Sequence, residues 1–172
     1  MSKHFRPKIG KHVYIHPAAT VIGQVTLKDY ANIWPGVVLR ADINRIVVGK
    51  YSNIQDLSVV HVTYESHSVV IGDDVTIGHA VMMHGCTIES HCLIGMRATL
   101  MNDVVVGEYS IVGAGAVVTE RTVIPPRSLV LGLPAKVKRS LTDAEVAGID
   151  EYAQRYFEYK ETYLAMKANQ TR

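Results

Sequence analysis

Residues 88–118 read IESHCLIGMRATLMNDVVVGEYSIVGAGAVV, and in this stretch Ile88, Ile94, Leu100, Val106, Val112 and Val118 stand six apart. The same spacing runs on to Ile124 and Val130 and, across a one-residue slip, back through Met83, Ile77 and Ile71. It returns earlier as Val60, Ile54 and Val48 and, across a three-residue insertion, as Leu39, Ile33, Leu27, Val21 and Ile15. A helix repeats about every 3.6 residues and a strand every two. A period of six kept this long needs short strands joined by sharp corners, three of which close one triangular coil. Each coil then turns one aliphatic side chain inward from each face, and coils stack about 4.8 Å apart through parallel ladders. The expected fold is all-β, a parallel β-helix of hexapeptide repeats with a column of Val, Ile and Leu as its core. Gly49, Gly72, Gly78, Gly95, Gly107 and Gly113 each follow an inward aliphatic residue and are expected to serve the corners.

The period ends past Pro134. Thr142, with Glu145 three residues on, forms the pattern of a capping box that opens a helix. Val146, Ile149, Ala153, Tyr156, Phe157, Tyr163 and Leu164 then recur at helical spacing, so the helix should lay one apolar face on the outside of the prism. The expected organisation is an N-terminal arm (1–9), the β-helix (10–138) and a packed C-terminal helix (140–168).

Composition excludes several classes. The formal charge of +2 comes with no basic block, which argues against nucleic acid as a partner. No apolar run approaches the roughly 20 residues of a membrane helix, and Met1 to Lys11 lacks an apolar stretch, so a cytoplasmic address is expected. Two cysteines, Cys86 and Cys92, are too few for a disulfide framework and read as buried thiol fillers.

Eight histidines are present. His4, His12, His16 and His91 fall in the arm or at polar repeat positions and read as surface residues. His61 and His84 instead follow the inward residues Val60 and Met83, the slot that other repeats give to glycine. His79 stands 18 residues after His61 and five before His84, so all three lie at similar height on the prism. Three neutral imidazoles with an open fourth place make a catalytic zinc set. The competing reading is three structural histidines satisfied by backbone partners. Ligands on different faces of one prism point apart, so one chain need not close the site, whereas prisms packed about a threefold axis bring faces of two chains together.

Ile71-Gly-Asp-Asp-Val-Thr-Ile-Gly78, Ile94-Gly, Val106-Gly-Glu, Val112-Gly-Ala-Gly and Gly132-Leu-Pro-Ala-Lys136 resemble the hexapeptide-repeat superfamily, whose coils are left-handed. Leu39-Arg-Ala-Asp42, Asn53-Ile-Gln-Asp56, His61 and Gly78-His79-Ala-Val-Met-Met-His84-Gly-Cys86 resemble, more closely, the γ-class carbonic anhydrases and their bacterial relatives. That resemblance implies reversible hydration of CO2 to bicarbonate by a metal-bound hydroxide between subunits of a homotrimer. It implies His61, His79 and His84 as ligands of Zn2+, with Fe2+ or Co2+ as alternatives, His79 reaching the metal of the neighbouring chain. It also implies Arg40 and Asp42 as an ion pair between chains, Gln55 as the amide orienting the hydroxide, and Asn53 and Asp56 as its support. Tyr159 is a candidate to project over the site.

The chain departs from the family's founding members after the first ligand. A long acidic loop with a proton-ferrying glutamate is replaced by Val62 to Val70, in which Tyr64, Glu65 and His67 stand. A histidine there can move protons, or the loop is plain exposed chain. Two other functions fit the same resemblance: metal-dependent hydrolysis of an acyl-CoA thioester, and a metal-binding scaffold without turnover. Acyl transfer shares the fold but not the histidine set.

Overall fold

The computed structural model describes residues 5–170, so His4 lies outside the described residues. The chain winds as the expected left-handed parallel β-helix. One face stacks Tyr14–Ile15, Asn32–Ile33, Asn53–Ile54, Thr76–Ile77, Leu93–Ile94 and Ile111–Val112, closed by Ser128–Gly132 and the antiparallel Ala135–Ser140. A second face stacks Val59–His61, Met82–His84, Thr99–Leu100 and Val117–Val118; the third stacks Val69–Ile71, Thr87–Ile88, Val105–Val106 and Val123–Ile124. The last two faces join through Val38–Val48, one strand long enough to bend around their shared corner. Inward residues stay in register from coil to coil: Leu39, Val60, Met83, Leu100 and Val118 stack directly. All five are fully buried.

Three local readings are corrected. Lys8–Ile9, assigned to the arm, is a strand paired with Thr26–Leu27, so the ladder begins inside residues 1–9. The glycines after the inward residues do not supply the left-handed corner conformation, because none of the six has a positive φ. They are small because the next coil lies against them: a Cβ on Gly49 would sit 1.9 Å from the Gly72 carbonyl oxygen, and one on Gly95 2.5 Å from the Ala114 nitrogen. The left-handed residue comes three positions after the inward one, as at Tyr30, Tyr51, Asp74, His91, Arg97, Asp103 and Tyr109. There the side chain turns away from the core, and several gain contacts outside the coil, as Tyr30 does in stacking on Tyr51, which offsets a strain usually left to glycine. Finally, His91 is not a plain surface histidine: its ring stacks on Tyr109 with centroids 4.7 Å apart, and Nδ1 bonds Asp150 of the C-terminal helix at 2.7 Å.

That helix runs Asp143–Gln170. Its capping box forms, with Thr142 N donating to Glu145 Oε2 at 2.9 Å and Glu145 N donating to Thr142 Oγ1 at 3.3 Å. It lies across the first face and buries Ile149 and Ala153, while Tyr156 and Tyr163 set their rings edge-on to Trp34. Lys160, which the apolar pattern omits, is fully buried: Nζ donates to the His12 carbonyl at 3.2 Å and lies 4.4 Å from the Phe157 ring centre. Among the described residues no helix is long and apolar enough to cross a membrane. Cys86 and Cys92 are free and buried, and burial pushes each thiol up to about 12.

Candidate metal centre

His61 and His84 end neighbouring strands of the second face and pair directly in register, with Arg40 one coil above. They share the outward slot after an inward residue, so ladder pairing alone brings the two rings together. His61 Nδ1 and His84 Nε2 face each other at 3.1 Å. What sits on the far side of each ring decides what these nitrogens carry. His84 Nδ1 donates to Asn102 Oδ1 at 2.7 Å, which leaves Nε2 as a bare lone pair. His61 Nε2 lies 3.2 Å from Asp42 Oδ1, and Arg40 donates to the other oxygen of that carboxylate at 2.6 Å.

Asp42 must be ionised for the last contact to fix a tautomer. Burial pulls its carboxyl upward, but hydrogen bonds from Arg40 and His61 outweigh burial and hold it below the usual carboxylate range. An ionised Asp42 only accepts, so the neutral His61 ring carries its proton on Nε2 and turns a second bare lone pair toward His84. Two facing lone pairs repel unless a cation, or a proton carried by one of the rings, lies between them. Two imidazole ligands about 2.05 Å from a tetrahedral Zn2+ stand roughly 3.3 Å apart, close to the spacing of these nitrogens. The donor set therefore fits a divalent cation, and both rings have the outer partners that ligating histidines characteristically possess.

Asp42 owes its position to an irregularity. In the ladder between Thr20–Leu27 and Val38–Val48, Gly23 pairs Ala41 but Gln24 pairs Arg45, so Asp42, Ile43 and Asn44 form a bulge. This is the three-residue insertion seen in the repeat, and it aims the carboxylate at His61. Gly23 makes room for it: at φ +83°, a Cβ there would lie 2.1 Å from the Ala41 carbonyl oxygen.

The remaining candidates gather at a different corner. Gln55 and His79 follow strands of the first face, and both line a groove of about 300 Å³ with Met96, Tyr152 and Tyr156. Gln55 is buried; its Nε2 donates to Asn53 Oδ1 at 3.2 Å, and Asn53 Nδ2 donates to Thr76 Oγ1 at 2.8 Å. His79 Nδ1 lies 3.1 Å from Asp56 Oδ2. Tyr159 is half exposed and packs its ring on Tyr156, 5.5 Å between centroids; Tyr156 is the tyrosine that lines the groove.

The nine candidates thus fall into two groups, candidate half-sites: Arg40, Asp42, His61 and His84 at one corner, Asn53, Gln55, Asp56 and His79 at the preceding one, with Tyr159 beside the latter through Tyr156. Among the described residues no group of three His, Cys, Asp or Glu side chains is arranged to hold one metal ion. Asn102 belongs to the first half-site and was missed by the sequence reading. Its signal was the coil length, since it stands 18 residues after His84.

The model for the bacterial transferase hexapeptide (six repeats) family matches residues 6–41 and 85–120. Gamma carbonic anhydrase 1, mitochondrial, of Arabidopsis thaliana is 42% identical over 94% of this chain, which spans only 61% of that relative's length. A protein of Methanocaldococcus jannaschii named "Probable carbonic anhydrase" is 46% identical, over 92% of this chain and 99% of its own. The solved structure of a hexapeptide transferase family protein from Anaplasma phagocytophilum superimposes with a TM-score of 0.87 at 35% identity, covering 91% of this chain and 92% of that one. On this footing the chain belongs to the γ-class carbonic anhydrase-like family of hexapeptide-repeat proteins.

Proposed function

We propose that the protein is a metal-dependent carbonic anhydrase, interconverting CO2 and bicarbonate at sites formed between subunits of a homotrimer. The observation that carries this reading is the pair of ring nitrogens, His61 Nδ1 and His84 Nε2, facing each other at 3.1 Å with their outer nitrogens engaged. They would hold the cation together with the partner subunit's His79. Zn2+ is the ion that a three-histidine set favours, with Fe2+ or Co2+ as alternatives. When bound, the cation supplies Lewis acidity that makes water acidic enough to act as a nucleophile near neutral pH.

The surface between the half-sites supports the assembly. Val38, Val59, Met82, Thr99 and Val117 stack in register on the outside of the second face, an apolar strip suited to a like strip on another copy. A threefold axis beside it would bring the Gln55 corner of one chain to the His61 corner of the next.

The chain's own residues then have separable roles. Asp42 and Asn102 fix the tautomers of His61 and His84 and hold their rings still. Arg40 keeps Asp42 ionised and has N–H groups left over to attract an anionic product. Gln55, clamped through Asn53 to Thr76, retains a carbonyl oxygen and an N–H with which to orient a small oxygen-bearing substrate. The apolar lining of Met96, Tyr152 and Tyr156 suits uncharged CO2 better than water.

Stopped-flow CO2 hydration by protein loaded with Zn2+, or with Fe2+ under anaerobic conditions, tests the reading. A rate well above buffer is expected. No rate above buffer from fully loaded trimer overturns it. Turnover of CoA thioesters by that same sample would transfer the site to thioester hydrolysis, and stoichiometric metal with neither activity would leave a scaffold.

A further inference from the structure

The short loop between Val59–His61 and Val69–Ile71 is pinned to the solenoid. Thr63 N donates to the His67 carbonyl at 3.0 Å, and Asn44 Nδ2, from the bulge, donates to the Thr63 carbonyl at 3.1 Å. These bonds seat His67 beside the first half-site. A Cβ on Gly85, the residue after His84, would lie 2.6 Å from His67 Cβ, so the His67 side chain packs directly on the Gly85 backbone. The His67 ring then reaches Asp103, the neighbour in sequence of the Asn102 that holds His84 Nδ1.

The polarity of the ring is set on both sides. His67 Nε2 lies 3.0 Å from Asp103 Oδ2 and donates to it, which leaves Nδ1 as the acceptor of the Ser66 hydroxyl at 2.8 Å. The result is a basic nitrogen whose ring is oriented by a carboxylate able to stabilise the imidazolium, the arrangement of an activated histidine base. The ring is partly open, with the side chain 26% exposed, beside a shallow hollow lined by Asn102, Asp103, Glu120 and Arg121. Tyr64 on the same loop is a poor alternative, because a hydrogen bond to Glu65 raises its phenol above the ordinary value and keeps it protonated.

We infer that His67, oriented by Asp103, is the group that carries protons between this site and the bulk buffer; the inference rests on the hydration reading above. In that reaction the oxygen of one water bonds the carbon of CO2, and bicarbonate and one proton result. The proton leaves the site through solvent and adds to the His67 Nδ1 lone pair. The imidazolium, paired with Asp103, gives it up to a buffer base and returns to its starting tautomer. No electrons are exchanged. Imidazole is the side chain that both accepts and releases protons readily near neutrality, and general acid–base groups of this kind contribute about 10²-fold or more.

The test compares metal-loaded wild type with His67→Ala and Asp103→Asn, the latter chosen because asparagine tolerates the positive φ of 58° at that corner. At limiting buffer, His67→Ala should lower kcat by about tenfold or more with kcat/KM unchanged, and added imidazole should restore it. Asp103→Asn should lower kcat less and also respond to imidazole. Equal kcat and equal buffer dependence in wild type and His67→Ala overturns the inference. So does a joint fall in kcat and kcat/KM that imidazole fails to rescue, which marks a structural role. Failure of the hydration reading is distinguishable, since wild type itself would then show no rate at any buffer concentration.

Discussion

At the scale of single residues, the proposed site depends on side chains that act only through the histidines they hold. Asn102 is the clearest case: by accepting a hydrogen bond from His84 Nδ1–H it leaves Nε2 as the nitrogen free for a cation. On the proposed reading, Asn102→Ala should leave the assembly unchanged and weaken metal binding about 10–100-fold, read by competition with a chromophoric chelator, whereas His84→Ala should abolish stoichiometric binding. Unchanged affinity in Asn102→Ala would mean that the lone-pair argument misassigns the tautomer. His61 and His84 were legible because a histidine in a glycine slot breaks a strict pattern, and His79 because of its spacing from them. Asn102 and the aim of Asp42 were not, since one depends on which ring nitrogen faces inward and the other on a bulge. The bulge does interrupt the six-residue period between Leu39 and Val48, but spacing alone does not tell where its carboxylate points. Gln55 was legible by motif, yet only coordinates reveal that Asn53 and Thr76 clamp its amide.

At the scale of elements, two glycines with opposite surroundings separate packing from chain entropy. Gly95 lies under the backbone of the next coil, so Gly95→Ala must push two coils apart and should cost about 1–3 kcal/mol. Gly148, inside the C-terminal helix, would have nothing within 4 Å of a new Cβ, so Gly148→Ala should gain roughly 0.5–1 kcal/mol. Thermal melts should move in opposite directions; a neutral Gly95→Ala would refute the stacking role given to this slot. The slot was legible in sequence, but its reason was not, because a period reports where small residues recur and not what crowds them. The helix start was legible in full, because Thr142 and Glu145 close their box locally. Glu145 also has a pH signature. Hydrogen bonds from Arg139, then from Thr142, hold its carboxyl at about 2, below the roughly 4.3 of an unfolded chain. Its contribution is therefore complete above that unfolded value and disappears as pH falls toward 2. The melting temperatures of wild type and Glu145→Gln should differ at pH 7 and converge between pH 5 and 2; a gap independent of pH would exclude the ionised pair as its cause.

At the scale of the whole molecule, a triangular prism imposes a condition that no single residue reveals. Side chains at successive corners diverge, so the His61–His84 pair and the Gln55–His79 group do not meet within one copy, and among the described residues no group of three side chains is arranged to hold one metal ion. The proposed intersubunit site therefore couples metal binding to assembly, and that coupling has a numerical consequence. His79→Ala retains an intact His61–His84 half-site, and His84→Ala retains an intact His79. Each should be inactive alone. If equal amounts are dissociated, mixed and reassembled at random, a site is whole only when its His61–His84 half comes from the first variant and its His79 from the second. That condition is met for about one half times one half of the sites, so roughly a quarter of wild-type metal and activity should return. A site closed within one chain predicts no recovery at any mixing ratio, because every chain in the mixture lacks a ligand.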